Sequence, residues 1–470
     1  MRPQQRAVLF VVSIFHYHRE ALPVVEEFAA AGWRVGVILG WLGDTADEAR
    51  LTYESLRCEI LNLSDSLKYK GAIGASGPKR AAHRRSSILK RLVVAGLCAA
   101  RMFKTKRAVA ALIRAFSPDV LMFGPFHSCG TFDNAALHVA RGCGIVACSF
   151  PVSAYHGRRG SIRGRFNQLR LGMAPPTLWA DYDLLNRFAA ILFRSWTQER
   201  DGRCVFMFDP VQMLAAKTTG LLDADVWQKP NTQLDRVFVF TDFSKGLLAA
   251  SEYDLSKVDV VGIPLLDQVI ERLSDEPYKR SVFQELDLDE NADFILFNVE
   301  PSAEHHYCDW DTHWRRFREM MVCASALARP VVLSLHPLCK LEDYLFAEHE
   351  FGVRISRRLK IYDLYPYCRL AISFPCSTNI LAELFGKPLV VYDYQRLAAP
   401  DALTADEFRL PFAQIGHEAS EVARLLSLEL ASREDAKPLA APSGGASTKI
   451  RRRVDELLDA AELDGRDRKR

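Results

Sequence analysis

Three stretches set the reading of this chain: Leu333-Ser-Leu-His-Pro-Leu338, Ile361-Tyr-Asp-Leu-Tyr365, and Leu370-Ala-Ile-Ser-Phe-Pro-Cys-Ser-Thr-Asn-Ile-Leu-Ala-Glu-Leu-Phe-Gly-Lys-Pro-Leu-Val-Val-Tyr392. The apolar runs within them are four to five residues long, the length of a strand buried in a parallel sheet. Each is followed by a polar turn and a helical pattern. That order places His336, Ser373, Ser377, Thr378 and Asn379 at carboxyl ends of strands, where open α/β sheets bind ligands. Ser377-Thr378-Asn379 would open a helix whose first amides suit a phosphate, and Glu383 follows within its first two turns.

The same alternation extends through most of the chain. Ala7–Val12 reads as a first strand, followed by a helix over Arg19–Ala31 closed by Gly32 and a second strand over Arg34–Leu39. Cys58–Leu61, Asp119–Phe123 and Ile145–Phe150 read as further strands, whereas residues 153–233 show no clean period. A second alternating run begins at Arg236-Val-Phe-Val-Phe240 and ends in a helix near Glu418–Leu430. A chain of 470 residues is too long for one core. The expectation is an α/β protein of two doubly wound domains, residues 1–234 and 235–436, with a linker and basic helix over 437–470.

Apolar content of 49% and charged content of 25% are ordinary for a globular chain, and no run approaches a membrane span. Met1–Arg6 leads straight into the first strand, so no cleaved signal is expected. The eleven cysteines show neither CxxC pairs nor metal spacing, and we read them as reduced and cytosolic. Charge is uneven. No acidic residue occurs between Asp65 and Asp119, a window with thirteen Lys/Arg, and Arg158, Arg159, Arg163, Arg165 and Arg170 follow. Apolar residues interleave with them at helical spacing. One reading is a solvated face. The other is a basic amphipathic surface on an anionic membrane leaflet or acceptor. Without stacking aromatics or a nucleic-acid motif, nucleic acid is not expected as a partner.

The motifs resemble a known superfamily. Val261-Gly-Ile-Pro-Leu-Leu-Asp267 resembles the GxPxxD segment that opens the second domain of GT-B glycosyltransferases, whose two Rossmann-like domains face each other across a cleft. Leu335-His-Pro337 resembles the HP motif of CDP-glycerol glycerophosphotransferases and related surface-polysaccharide transferases. Ser377-Thr378, Glu383 and Gly386-Lys-Pro388 resemble their SS…E…GKP element, which UDP-N-acetylglucosamine 2-epimerases share. The resemblance covers about Val237–Tyr394 by motif and the first half by architecture alone.

It implies that His336, Ser377 and Thr378 meet the diphosphate of a nucleotide-sugar, that Glu383 meets the ribose, and that Tyr362 lines the base pocket. Gly262, Ser373 and Asn379 belong to the same donor site. Phe297-Asn-Val-Glu-Pro-Ser-Ala-Glu-His-His-Tyr307 crowds polar groups after a strand, and we expect ligand contact from Asn298, Glu300 and His305. No spacing there fits a metal, and neither a metal nor another cofactor is expected. The acceptor's proton needs a base tuned near neutral pH. Ala154-Tyr-His-Gly157 resembles the HG element whose His is catalytic in the glycerophosphotransferases, which makes His156 the first candidate. The usual continuation is absent, since Arg158-Arg159-Gly160 follows. His127 is the second candidate; His16, beside His18, is the third. Each of these residues also has a plain structural role to play as a cap, core group or surface side chain.

The leading expectation is a transferase of bacterial surface-polysaccharide assembly using a nucleotide-activated sugar or polyol phosphate. The acceptor would be saccharide or lipid-linked, and the enzyme peripheral at the inner face of the plasma membrane. The alternatives are a UDP-N-acetyl-amino-sugar 2-epimerase and a catalytically silent nucleotide-sugar-binding scaffold.

Overall fold

In a computed structural model the chain divides into two units, Met1–Leu265 with Gly445–Arg470, and Leu266–Gly444. The structure describes residues 5–13, 15–40, 44–62, 88–124, 132–151, 157–170, 175–200, 202–223, 225–290, 292–304, 308–398, 409–432 and 444–467.

The first unit is built on strands β1 (Ala7–Val12), β2 (Arg34–Leu39), β3 (Glu59–Ile60), β4 (Val120–Phe123) and β5 (Val146–Ser149). A hairpin of β6 (Thr197–Arg200) and β7 (Arg203–Phe206) stands apart, and β8 (Arg236–Val239) and β9 (Val258–Val260) complete the main sheet. Its order is β3-β2-β1-β4-β5-β8-β9, parallel throughout. Every residue of β1 is buried, and alternation sends Val8, Phe10 and Val12 to one core and Ala7, Leu9 and Val11 to the other. The helix Phe15–Ala30 covers the first face; Phe132–Cys143 and the second half of Ile88–Phe116 cover the opposite one. A further core forms around the fully buried Trp227, where Phe166, Trp196, Phe206 and Met213 join Met102 and Ala135.

Two expectations are corrected here. The domain boundary does not fall at 234/235. Strand β8 pairs with β5, Cys148 against Arg236 and Ser149 against Val237, while Asp235 clamps Ala147 through both its backbone and its carboxylate. The alternating pattern passes from one sheet to the next without a composition break, so periodicity does not mark the junction. Nor is the described C-terminal helix a separate appendage. The helix Ala446–Asp467 belongs to the first unit, burying Ile450, Val454 and Leu458 against the β1 core. Ion pairs from Arg451 to Glu27 (2.8 Å), Arg453 to Asp259 (3.1 Å) and Arg6 to Asp455 (2.5 Å) fix its register.

The second unit carries β10 (Ile295–Val299), β11 (Val331–Leu335), β12 (Arg354–Ile355), β13 (Leu370–Ser373), β14 (Leu389–Tyr392) and β15 (Ala413–Gly416). Their order is β12-β11-β10-β13-β14-β15, again all parallel. Ile295, Phe297 and Val299 pack on Phe317, Met320 and Met321 of the helix Trp310–Ser325. Asn298 therefore points to the opposite face, in register with Ser334 on one side and Ser373 on the other. The chain leaves β10 toward β11 and later returns to its other flank at β13. The topological switch point of this sheet thus lies beyond the carboxyl ends of β10 and β13.

Candidate functional site

Asn298 anchors the switch point. It is 7% exposed, and its Nδ2 donates to Thr378 Oγ1 at 2.6 Å and to Cys376 Sγ at 3.2 Å. Both acceptors sit in the turn that leaves β13. Pro375 precedes Cys376, and the chain then closes a 3₁₀ turn over Ser377–Asn379 that runs into the helix Ile380–Leu384. Asn379 holds this turn from inside. Its Oδ1 accepts from Ser373 Oγ and Cys376 Sγ, and its Nδ2 donates to the Phe374 carbonyl at 3.1 Å. Ser373 and Asn379, both fully buried, thus spend their side chains on each other and on the turn. They shape the site rather than line it. Ser377 is exposed, and Thr378 and Glu383 are half-buried, Glu383 at the fourth position of its helix.

Across from this turn stand the groups that leave β10 and β11. The His336 N–H bonds to the Val299 carbonyl at 3.2 Å, so the parallel ladder places His336 directly past β10. Its Nδ1 accepts from the Leu338 N–H at 3.1 Å, which puts the proton of the neutral ring on Nε2. Behind it, Cys339 receives the Tyr344 hydroxyl at 3.6 Å, and Tyr344 bonds the buried His313 Nε2 at 2.9 Å. The Cys339 thiol also bonds to Glu304. This chain ties the loops after β10 and β11 together, and burial lowers the His313 pKa, keeping that ring neutral.

Glu300 follows β10 directly. Loss of water pushes its carboxyl up to about 8, and burial, with a smaller contribution from Glu300, raises the Cys376 thiol to about 12. A carboxyl that holds a proton near neutral pH can donate a hydrogen bond or transfer that proton. In the unfolded chain Glu300 would ionise near 4.5, so between that value and about 8 the fold binds more protons than the open chain. Stability from this group is therefore complete at low pH and lost as pH rises through about 8. Glu300→Gln keeps the group neutral. Its melting temperature relative to the parent is expected to rise between about pH 5 and pH 8. Thermal unfolding at both pH values checks this, and a difference independent of pH would mean that water reaches the carboxylate.

Of the expected donor-site residues, Asn298, Glu300, His336, Ser373, Ser377, Thr378, Asn379 and Glu383 come together at this one sheet end. Tyr362 stands half-buried on the short helix Ile361–Leu364, after β12; its neighbour Asp363 is committed to the Lys360 N–H and the Tyr278 hydroxyl. Gly262 does not belong to this sheet. It lies after β9 in the first unit at φ +98°, and a Cβ there would meet Ala446 at 3.4 Å, so left-handed backbone explains the glycine. His305, His127 and His156 lie outside the described residues. His16 sits in the first turn of Phe15–Ala30, with its side chain also outside them. His18 is buried edge-on against Tyr53, with its pKa lowered by burial, which is the setting of a core histidine.

The sequence reading missed two thiols, Cys376 in the turn after β13 and Cys339 in the loop after β11, and a second switch point in the first unit. There the helix after β4 opens with Asp133, 4% exposed, which bonds Ser13 at the end of β1. Burial pushes Asp133 up to about 7 and, on the helix after β1, Glu20 up to about 8. The signal was an acid in the first turn of a helix after an apolar strand. Among the described residues no group of three or more His, Cys, Asp or Glu is placed to hold a metal. The described cysteines are free thiols, and no described helix is long and apolar enough to cross a membrane.

No family model matches the chain, and no curated protein matches it in sequence. Its three-dimensional likeness to solved enzymes runs nearly end to end. The UDP-GlcNAc 2-epimerase of Neisseria meningitidis, bound to UDP-GlcNAc, matches over 96% of this chain and 100% of its own, at 13% identity and a TM-score of 0.51. A putative UDP-N-acetylglucosamine 2-epimerase of Listeria monocytogenes covers 97% of both chains at 12% identity and 0.53. That of Rickettsia bellii covers 97% of this chain and 98% of its own at 11% identity and 0.50. At such identities the likeness is one of fold. The chain carries the GT-B fold, two Rossmann-like domains in one polypeptide.

Proposed function

We propose that this protein is a GT-B transferase that binds a nucleotide-activated sugar or polyol phosphate at the switch point of its second unit. The observation that carries the reading is the Asn298–Thr378 bond of 2.6 Å, which sets the Ser377–Asn379 turn opposite His336 and Glu300. Thr378 and the turn amides would accept the diphosphate, His336 Nε2–H would donate to it as charge builds on the leaving nucleotide, and Glu383 would bind the ribose. The acceptor is a saccharide or lipid-linked saccharide of bacterial surface polysaccharide. His156 is the assigned base for its hydroxyl, with His127 and His16 as alternates. The reaction is placed at the inner face of the plasma membrane.

A second reading, 2-epimerisation of a UDP-amino sugar, is favoured by the neighbours named above and by Asp133 and Glu300, whose carboxyls hold protons near neutrality. Incubation with UDP-sugars alone, followed by NMR, separates the two. Epimerisation without an acceptor supports the second reading, and donor turnover only with an acceptor supports the first. For the site itself, Glu383→Ala is expected to weaken UDP binding at least tenfold, about 1.4 kcal/mol. Unchanged affinity in calorimetry with an intact fold would remove the ribose assignment.

A further inference from the structure

The helix Ile88–Phe116 is inside out over its first half. Arg91 is 6% exposed, whereas Leu89 is 72% and Leu97 67% exposed. Leu89, Leu92, Val93 and Leu97 recur at helical spacing on the side away from the buried Arg91, Ala95 and Met102. The helix Leu184–Leu192 repeats the arrangement, with Leu184, Phe188 and Ile191 exposed and Leu185, Asn186 and Ala189 buried. The two helices share a seam: Ala95 packs with Leu185, and Arg91 bonds Asn186 at 2.7 Å and pairs with Asp183. Their apolar stripes therefore flank one joint on the surface of the first unit. Neither helix contains an acidic residue, and Lys90, Arg101, Lys104 and Arg187 are exposed beside the stripes.

We infer that this face seats the protein on an anionic lipid bilayer. The apolar stripes enter the boundary between headgroups and acyl chains, and the lysines and arginines meet lipid phosphates. The charge pattern decides against a second copy of the chain. A two-fold contact would place the same patch against itself, cations facing cations, with no carboxylate from either helix to meet them. The basic window of the sequence pointed to electrostatic attraction, whereas the exposed leucines add insertion, which salt does not screen. The inference stands on this surface alone and does not depend on the nucleotide-sugar reading.

The test is flotation of the full chain, without nucleotide, on phosphatidylcholine vesicles and on vesicles with about 30 mol% phosphatidylglycerol. Binding is expected on the anionic vesicles, and a bound fraction is expected to persist at about 0.5 M salt, where the screening length falls to a few ångströms. Leu97→Ser with Ile191→Ser, both fully on the surface, is expected to cut the partition coefficient at least tenfold at unchanged melting temperature. Equal recovery of parent and variant, or failure of the parent to float, would overturn the inference. Light scattering without lipid covers the remaining case: a dimer that the double variant dissociates would assign the face to a second copy and likewise overturn it.

Discussion

Replacing Arg91 by alanine is expected to lower the unfolding free energy by about 3–5 kcal/mol. Its guanidinium reaches three partners: Asp183, Asn186 at 2.7 Å and Asp209 at 3.0 Å. Asp183 and Asp209 are also caps, accepting from the Asn186 and Val211 amides at the starts of two helices. One buried cation thus joins Ile88–Phe116 to Leu184–Leu192 and to Pro210–Thr219. The side chains of Arg91 and Asp183 are 7% and 8% exposed, so removal of the cation strands a carboxylate away from water. The loss is expected to reverse largely when both carboxylates are neutralised as well. Arg91→Met with Asp183→Asn and Asp209→Asn keeps the caps, since asparagine caps helices well. Urea unfolding of parent, single and triple variants measures this. A loss below about 1 kcal/mol in the single variant would mean the cluster behaves as a screened surface pair.

The second large effect is functional. Asn298→Ala is expected to weaken UDP binding about thirtyfold, near 2 kcal/mol, with little change in overall fold. Its amide is the donor that links β10 to the Cys376–Thr378 turn, and no neighbouring side chain is described that supplies the same bond. Without it Thr378 Oγ1 and Cys376 Sγ lose their common partner, and the turn loses its fixed distance from His336. The effect should exceed that of Glu383→Ala, because the asparagine positions several contacts and the glutamate makes one. Calorimetric titration of both variants checks the order. An Asn298→Ala chain with parental affinity would show that the turn holds its geometry without this bond.

The second unit was the more legible half. Its strands are short, buried on both faces and punctuated by Pro337, Pro375 and Pro388, so length and turn chemistry locate them. The position of the candidate residues at strand ends followed from topology. What topology did not convey was direction. Ser373 and Asn379 lie at the right place but turn inward, because an asparagine with buried neighbours satisfies the turn before it meets a ligand. Gly262 carried a motif, yet its cause is a left-handed backbone beside Ala446. The junction between the units was hidden because β8 and β9 have the same period as the strands on either side. The basic helix Ile88–Phe116 left two readings open for a different reason. A strict helical period over residues 88–103 shows that a stripe exists but not which stripe faces the core, and only the Arg91 cluster reveals it.

The measurement that bears most directly on the donor site is hydrogen exchange of the full chain with and without saturating UDP-sugar. A ligand at the switch point of the second unit should slow exchange in three separate segments: the end of β10 with Glu300, the loop after β11 at His336–Cys339, and the turn and helix Cys376–Leu384. Other regions should change little. Protection confined to the first unit around Asp133, or no protection at saturation, would contradict the placement of the nucleotide at the Asn298–Thr378 clasp.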